Sequence, residues 1–155
     1  MFFDRFKKIK ETIITQPVEG QLVPLSEVAD PVFSQGVMGI GFAVRPINGK
    51  IFSPVDGVVE SVFPTQHAVT LKSDAGIELL LHIGIDTVEL GGKGIQTLVK
   101  AGQKITAKTQ IAEVDLTVLA EAEKSSDIIV VFPNLDQELI EKFDLSGETP
   151  VVATL

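Results

Sequence analysis

From Val18 onward the chain is broken repeatedly by Gly and Pro, at intervals of no more than 12 residues as far as Gly102, and the apolar stretches are short. Gly20-Gln21-Leu22-Val23-Pro24, Gly41-Phe42-Ala43-Val44-Arg45-Pro46, Pro54-Val55-Asp56-Gly57-Val58-Val59 and Thr109-Gln110-Ile111-Ala112-Glu113-Val114 are examples. Helices need longer uninterrupted periods than this, whereas strands of about five or six residues fit between such breakers. The spacing predicts an all-β fold, an antiparallel β-sandwich or barrel of short strands, and argues against a doubly wound α/β fold. One or two short helices are expected late in the chain. The first follows Asp115 as N-cap, through Leu116, Leu119 and Ala120. The second follows Asn134, with Leu135, Leu139, Ile140 and Phe143 on one side. No stretch is long enough to be a linker, so residues 18–155 are expected to form a single domain. Pro54–Glu60 and Lys100–Ile105 echo each other, each with a Gly before a strand, which supports the fold class only.

Residues 1–17 have a different texture. Phe2, Phe3, Phe6, Ile9, Ile13 and Ile14 recur at near-helical spacing with basic residues between them, which predicts an amphipathic helix ended by Pro17. Such a segment serves either as a surface anchor on anionic lipid or as a helix packed on the body. Residues 1–10 carry a charge of +3, against −11 for the remainder of the 155-residue chain. That acidic body excludes a phosphate-tracking nucleic-acid binder. With no cysteine, disulfides, thiolate metal sites and thiol nucleophiles are excluded as well. No apolar run reaches the roughly 18 residues of a membrane span, and no secretory signal is recognisable, so a cytoplasmic location is expected.

There are two histidines, His67 and His82, each in a strand-like run. Between the runs lies Ser73-Asp74-Ala75-Gly76, whose Asp and Gly suit a turn. A hairpin with Asp74-Ala75 as a two-residue loop pairs residues whose numbers total 149, which sets His67 opposite His82. Their Cβ atoms would then stand about 4.5–5.5 Å apart on one face. A strand histidine is more often a half-buried structural residue than a reactive one, but facing imidazoles suit two chemistries. One ring can attack phosphorus while the other donates to the transferred oxygens. Alternatively, two neutral rings can supply half of a zinc shell.

The run Gly76-Ile77-Glu78-Leu79-Leu80-Leu81-His82-Ile83-Gly84-Ile85-Asp86-Thr87-Val88-Glu89-Leu90 resembles the signature of the glucose-type enzyme IIA domain of the phosphoenolpyruvate-dependent sugar phosphotransferase system. Pro54-Val55-Asp56-Gly57, Thr65-Gln66-His67-Ala68 and Gly147-Glu148-Thr149-Pro150-Val151 extend the resemblance over nearly all of residues 18–153. It implies a duplicated-hybrid-motif-like β-sandwich with both histidines in a shallow apolar depression. It also implies a phosphotransferase component that forms a phosphohistidine. His67 would take the phosphoryl group from the histidine-containing phosphocarrier protein and pass it to a cysteine on the IIB domain of a membrane sugar permease. His82 would support the transfer unphosphorylated, and Thr65 would hold the site by a hydrogen bond.

The resemblance further implies partner docking through Phe33, Ile40, Phe63 and Val88, with Asp30 and Asp86 among the surrounding acids. Asp86 also suits a simple turn cap. No cofactor is implied for transfer. Zinc is implied only in regulatory complexes, held by His67, His82 and a carboxylate from a partner such as glycerol kinase or another permease. Gln66 and Leu80 stand where better-known members often carry Asn and Phe. The chain has the look of a free-standing IIA protein, soluble or peripheral to the inner face of the membrane.

Three rival readings stand beside this one. A biotinyl- or lipoyl-type carrier resembles Val99–Glu113 but needs a lysine at its hairpin tip, and Asp74-Ala75 has none. A lysostaphin-type zinc peptidase needs three protein ligands including a close His-X-His pair, which two histidines cannot provide. A purely regulatory binding protein that has lost transfer chemistry is separated by assay alone.

Overall fold

The computed structural model describes residues 11–135 and 151–154. Its strands are β1 (Glu11–Ile14), β2 (Gly20–Pro24), β3 (Ile40–Pro46), β4 (Lys50–Phe52), β5 (Gly57–Val62), β6 (Ala68–Ser73), β7 (Glu78–Ile83), β8 (Ile95–Thr97), β9 (Lys104–Ile105), β10 (Gln110–Val114), β11 (Ile128–Phe132) and β12 (Val151–Thr154). They form a seven-stranded sheet in the order β2-β3-β11-β7-β6-β5-β9, a three-stranded sheet β4-β10-β8 and a β1-β12 pair. All pairings are antiparallel, and the sheets stay open, so the expected architecture is realised as a sandwich and not as a closed barrel.

Alternation within the strands builds the layers. On one face of the large sheet Phe42, Val44, Leu71, Leu79, Leu81, Ile83, Ile128, Val130 and Phe132 are fully or almost fully buried, against Ile51, Ile111 and Ala112 of the small sheet. On the other face Val23, Ala43, Ala68, Leu80, Ile129 and Val131 form a second core. That face is covered by a 3-10 turn (Leu25–Glu27) and a short helix α1 (Pro31–Ser34), which bring in Leu25, Val28 and Phe33. The central strand β11 is buried on both faces at every position, as a continuous Ile-Ile-Val-Val-Phe run requires. The echoing Gly57 and Gly102 segments lie side by side, since β5 pairs with β9 and the Gly102 N–H donates to the Val59 carbonyl at 2.7 Å.

The helix after Asp115 is present as α2 (Leu116–Glu121), and the Asp115 carboxylate accepts from the N–H groups of Thr117 and Val118. The helix expected after Asn134 falls on residues 136–150, outside the described residues. Helix α1 was not anticipated, although Asp30 as N-cap with Pro31 at the first helical position is a readable start signal.

Two expectations are corrected. Glu11–Ile14 is a strand paired with β12, not the end of an amphipathic helix, and residues 1–10 lie outside the described residues. Thr12-Ile13-Ile14-Thr15 is a β-branched run, and Ile13 is 57% exposed while Ile14 is fully buried, a period of two. The β6–β7 hairpin also has a different register. Ala68 pairs with His82 and Lys72 with Glu78, which makes Asp74-Ala75-Gly76 a three-residue loop. The extra residue is Gly76 at φ +90°, whose N–H donates to the Ser73 carbonyl at 2.8 Å. A turn followed by a left-handed glycine is a common way to close such a hairpin.

The core predicts its own weak point. Leu81 is fully buried between its partners Val69 and Val130. Leu81→Ala should destabilise the fold by about 2–5 kcal/mol, read from urea unfolding midpoints at unchanged m-value.

Candidate functional site

In an antiparallel ladder directly paired residues share a face. The pairs Val23–Ala43, Ala43–Ile129, Ile129–His82 and His82–Ala68 therefore set one row across five strands on the α1-covered face. His82 is held on that row by β7. His67 is not part of the ladder but immediately precedes β6, where its carbonyl accepts from the Ile83 N–H at 2.7 Å. The histidines are thus offset by one position, not directly opposed.

Their rings still meet, with centroids 5.1 Å apart and planes at 75°. The reason is the backbone at Gln66, which takes a left-handed φ of +61° and turns the next side chain back over the sheet. It follows the turn Phe63-Pro64-Thr65-Gln66, closed by the Gln66 N–H to the Phe63 carbonyl at 2.7 Å. Ala68 adds only a methyl group beside the His82 ring.

Each ring has its Nδ1 engaged. In His82 it lies 2.7 Å from the Gly84 carbonyl, an acceptor only, so Nδ1 carries the proton and the neutral ring keeps its lone pair on Nε2. In His67 Nδ1 hydrogen-bonds the Thr65 hydroxyl. Gly84 can present its carbonyl because it turns at φ +73°, where an added Cβ would stand 2.7 Å from the Ser125 carbonyl oxygen. Its N–H donates to the Asp127 backbone carbonyl at 2.8 Å, and the Thr87 hydroxyl donates to the Ile83 carbonyl, so the turn is fixed from both ends.

Aromatic rings flank the pair. Phe63 meets His67 edge-on at 5.3 Å, and Phe33 meets His82 at 5.0 Å and 58°. Phe63 and Val88 are exposed, at 37% and 49%. Phe33 is buried, and so is Ile40, which pairs with Phe132 and belongs to the main core. Ile40 therefore presents almost no surface to a partner; five consecutive buried residues in β3 are the reason, since the strand is covered on both faces. Asp30 caps α1 through a 2.9 Å bond from the Val32 N–H. Asp86 is exposed at φ +59° and makes no side-chain capping bond to the turn it precedes.

Burial lowers the pKa of both imidazoles. At His82 desolvation is the largest cause, opposed by the Gly84 carbonyl and the charges of Asp30 and Asp86, with His67 lowering it further. Both rings are accordingly neutral at pH 7.

Among the described residues no group of three or more His, Cys, Asp or Glu is placed to hold a metal ion.

One feature of the site left no mark in the histidine pattern. Gln66 sends its side chain to another strand, accepting from the Thr97 N–H at 2.7 Å. A side chain at a positive φ is hard to foresee without a glycine or asparagine to mark the turn.

The direction of the pKa shifts sets a pH dependence. Where the folded-state pKa of a histidine is lowered, the folded form binds fewer protons than the unfolded one, so stability is unaffected above the unfolded pKa near 6.5 and falls below it. The unfolding temperature should fall between pH 7.5 and 5.5, and His82→Gln should flatten that dependence. A slope unchanged in the variant would show that His82 is not a source of it.

The comparisons with known proteins agree with this geometry. Residues 12–138 match the family model described as the phosphoenolpyruvate-dependent sugar phosphotransferase system, EIIA 1. The glucose-specific EIIA component of Staphylococcus epidermidis is 40% identical over 97% of this chain and 94% of its own length. The glucose-specific EIICBA component of Streptococcus pneumoniae is 44% identical over 92% of this chain, which spans only 19% of that longer protein. Among solved structures, glucose permease IIA from Mycoplasma capricolum superposes with a TM-score of 0.79 at 32% identity, covering 92% of this chain and 96% of that one. No helix among the described residues is long and apolar enough to cross a membrane. The chain belongs to the EIIA type-1 family, a phosphotransferase component of the phosphoenolpyruvate-dependent sugar phosphotransferase system.

Proposed function

We propose that this protein is a phosphocarrier in sugar uptake, with His67 as the phosphoryl acceptor and donor. The carrying observation is that both rings commit Nδ1 to a hydrogen bond while neither Nε2 has a hydrogen-bond partner among the described residues, with the half-exposed Phe63 ring edge-on to His67. The neutral Nε2 lone pair of His67 attacks the phosphorus of a phosphohistidine on the histidine-containing phosphocarrier protein. The new N–P bond forms as the old one breaks, and the departing nitrogen keeps the electron pair. In the second step a cysteine thiolate on the IIB domain of a glucose-type permease attacks the same phosphorus, and His67 recovers its lone pair. No metal takes part in either step.

His82 has a supporting part. A dianionic phosphoryl group on the neighbouring ring raises the pKa of His82 and favours an Nε2–H that donates to the phosphoryl oxygens. Thr65 holds the tautomer of His67 that leaves Nε2 nucleophilic. Phe63 and Val88 form the exposed apolar contact for the two partners, with Phe33 as its floor. Asp30 and Asp86 steer partners that bring a basic rim. Zinc, in the same reading, enters only in a regulatory complex whose partner adds a carboxylate to His67 and His82; glycerol kinase and other permeases are partners of that type.

The test is labelling with phosphoenolpyruvate, enzyme I and the phosphocarrier. Wild type should acquire an acid-labile, base-stable label that His67→Ala abolishes. His82→Gln should charge His67 but deliver the group to the permease at least about tenfold more slowly. An unlabelled wild type, or a labelled His67→Ala, would overturn the reading.

Residues 1–10, with their charge of +3, are proposed to touch anionic membrane. Their deletion should weaken binding to vesicles rich in anionic lipid and leave labelling by the soluble carrier unchanged.

A further inference from the structure

We infer that Gln66 is a positioning residue for the acceptor imidazole, acting through a clamp onto β8. The inference rests on the phosphocarrier reading of His67. Gln66 stands between the two residues that must be mutually fixed, Thr65 and His67, and its conformation decides where both side chains point. That conformation is left-handed, which a non-glycine residue adopts only at a steric cost. Something must hold it there.

The side chain supplies the hold. Its Oε1 accepts from the backbone N–H of Thr97 at 2.7 Å, and the Thr97 hydroxyl lies 3.5 Å from the Gln66 carbonyl oxygen. Thr97 pairs with Ala112 on β10 and lies on an outer strand of the small sheet. Its N–H is turned away from β10 and satisfied by Gln66. The clamp therefore ties the turn before β6 of the large sheet to β8 of the small one. With the amide anchored, the backbone cannot rotate at Gln66 without breaking the contact. Nδ1 of His67 stays on the Thr65 hydroxyl and the ring stays against His82.

A residue that merely tolerates the turn is distinguishable from one that positions the ring. Gln66→Gly relieves the backbone and removes the clamp. Gln66→Asn accepts the same backbone but falls one methylene short. Thr97→Pro removes the donor without touching the turn, on an edge where proline is tolerated. The measurements are single-turnover transfer from the phosphocarrier and the ¹⁵N signals of the His67 ring.

Gln66→Gly and Thr97→Pro should lose about tenfold or more in the transfer rate constant with KM for the carrier unchanged, and Gln66→Asn, the residue better-known members often carry, should lose less. Their His67 ring signals should shift from one tautomer toward a mixture. Gln66→Gly with Thr97→Pro should lose no more than either alone, because both remove one contact. Rates within about twofold of wild type in Gln66→Gly with unshifted ring signals, or additive losses in the double variant, would overturn the clamp. If Thr97→Pro fails to fold, the rates and ring signals of the two Gln66 variants decide. If wild type takes no label, the phosphocarrier reading fails instead, and the ring signals alone still decide whether the clamp sets the imidazole.

Discussion

The hydrogen bond from the Ile83 N–H to the His67 carbonyl is the contact on which the site depends. It extends the β6–β7 ladder one step beyond its last side-chain pair and fixes the backbone of His67 to a strand buried in the middle of the large sheet. Without it the histidine would sit on a free five-residue connection. With it, the left-handed turn at Gln66 needs only to choose the side of the sheet. The chosen side is the one covered by α1, where Phe33 closes the far flank of His82.

Electrostatics at the pair is a balance of unequal effects. Desolvation favours neutral rings, and the acids at Asp30 and Asp86 oppose it without overcoming it at His82. Two uncharged imidazoles can stand in contact, whereas two imidazolium ions at this separation would repel each other in a poorly solvated place. The acids offset part of the desolvation at His82.

Much of this was legible in the chain. Gly and Pro punctuation revealed the strands because each break stops a ladder, and Asp115 marked α2 because a carboxylate before Leu116 satisfies otherwise orphaned N–H groups. The two histidines could be related to one another through turn chemistry alone. Their register was misjudged by one residue because Gly76 can either end a strand or complete a loop, and local sequence does not distinguish these. Ile13 and Ile14 looked helical when combined with upstream phenylalanines; their pairing with β12, nearly 140 residues away, carries no local signal. Ile40 looked like rim until β3 proved to be covered on both faces. The reach of Gln66 to Thr97 spans 31 residues and two sheets, beyond any motif.

His67 keeps just 8% of its surface open, between Phe63 on one side and His82 on the other. In a phosphocarrier that narrow opening admits one visitor at a time. Under the phosphocarrier reading, donor and recipient could not share the ring in a ternary assembly, and the protein would work as a turnstile. Its throughput then depends on how quickly each partner vacates the rim. Tighter binding by either one would slow the relay, which favours brief encounters over durable complexes.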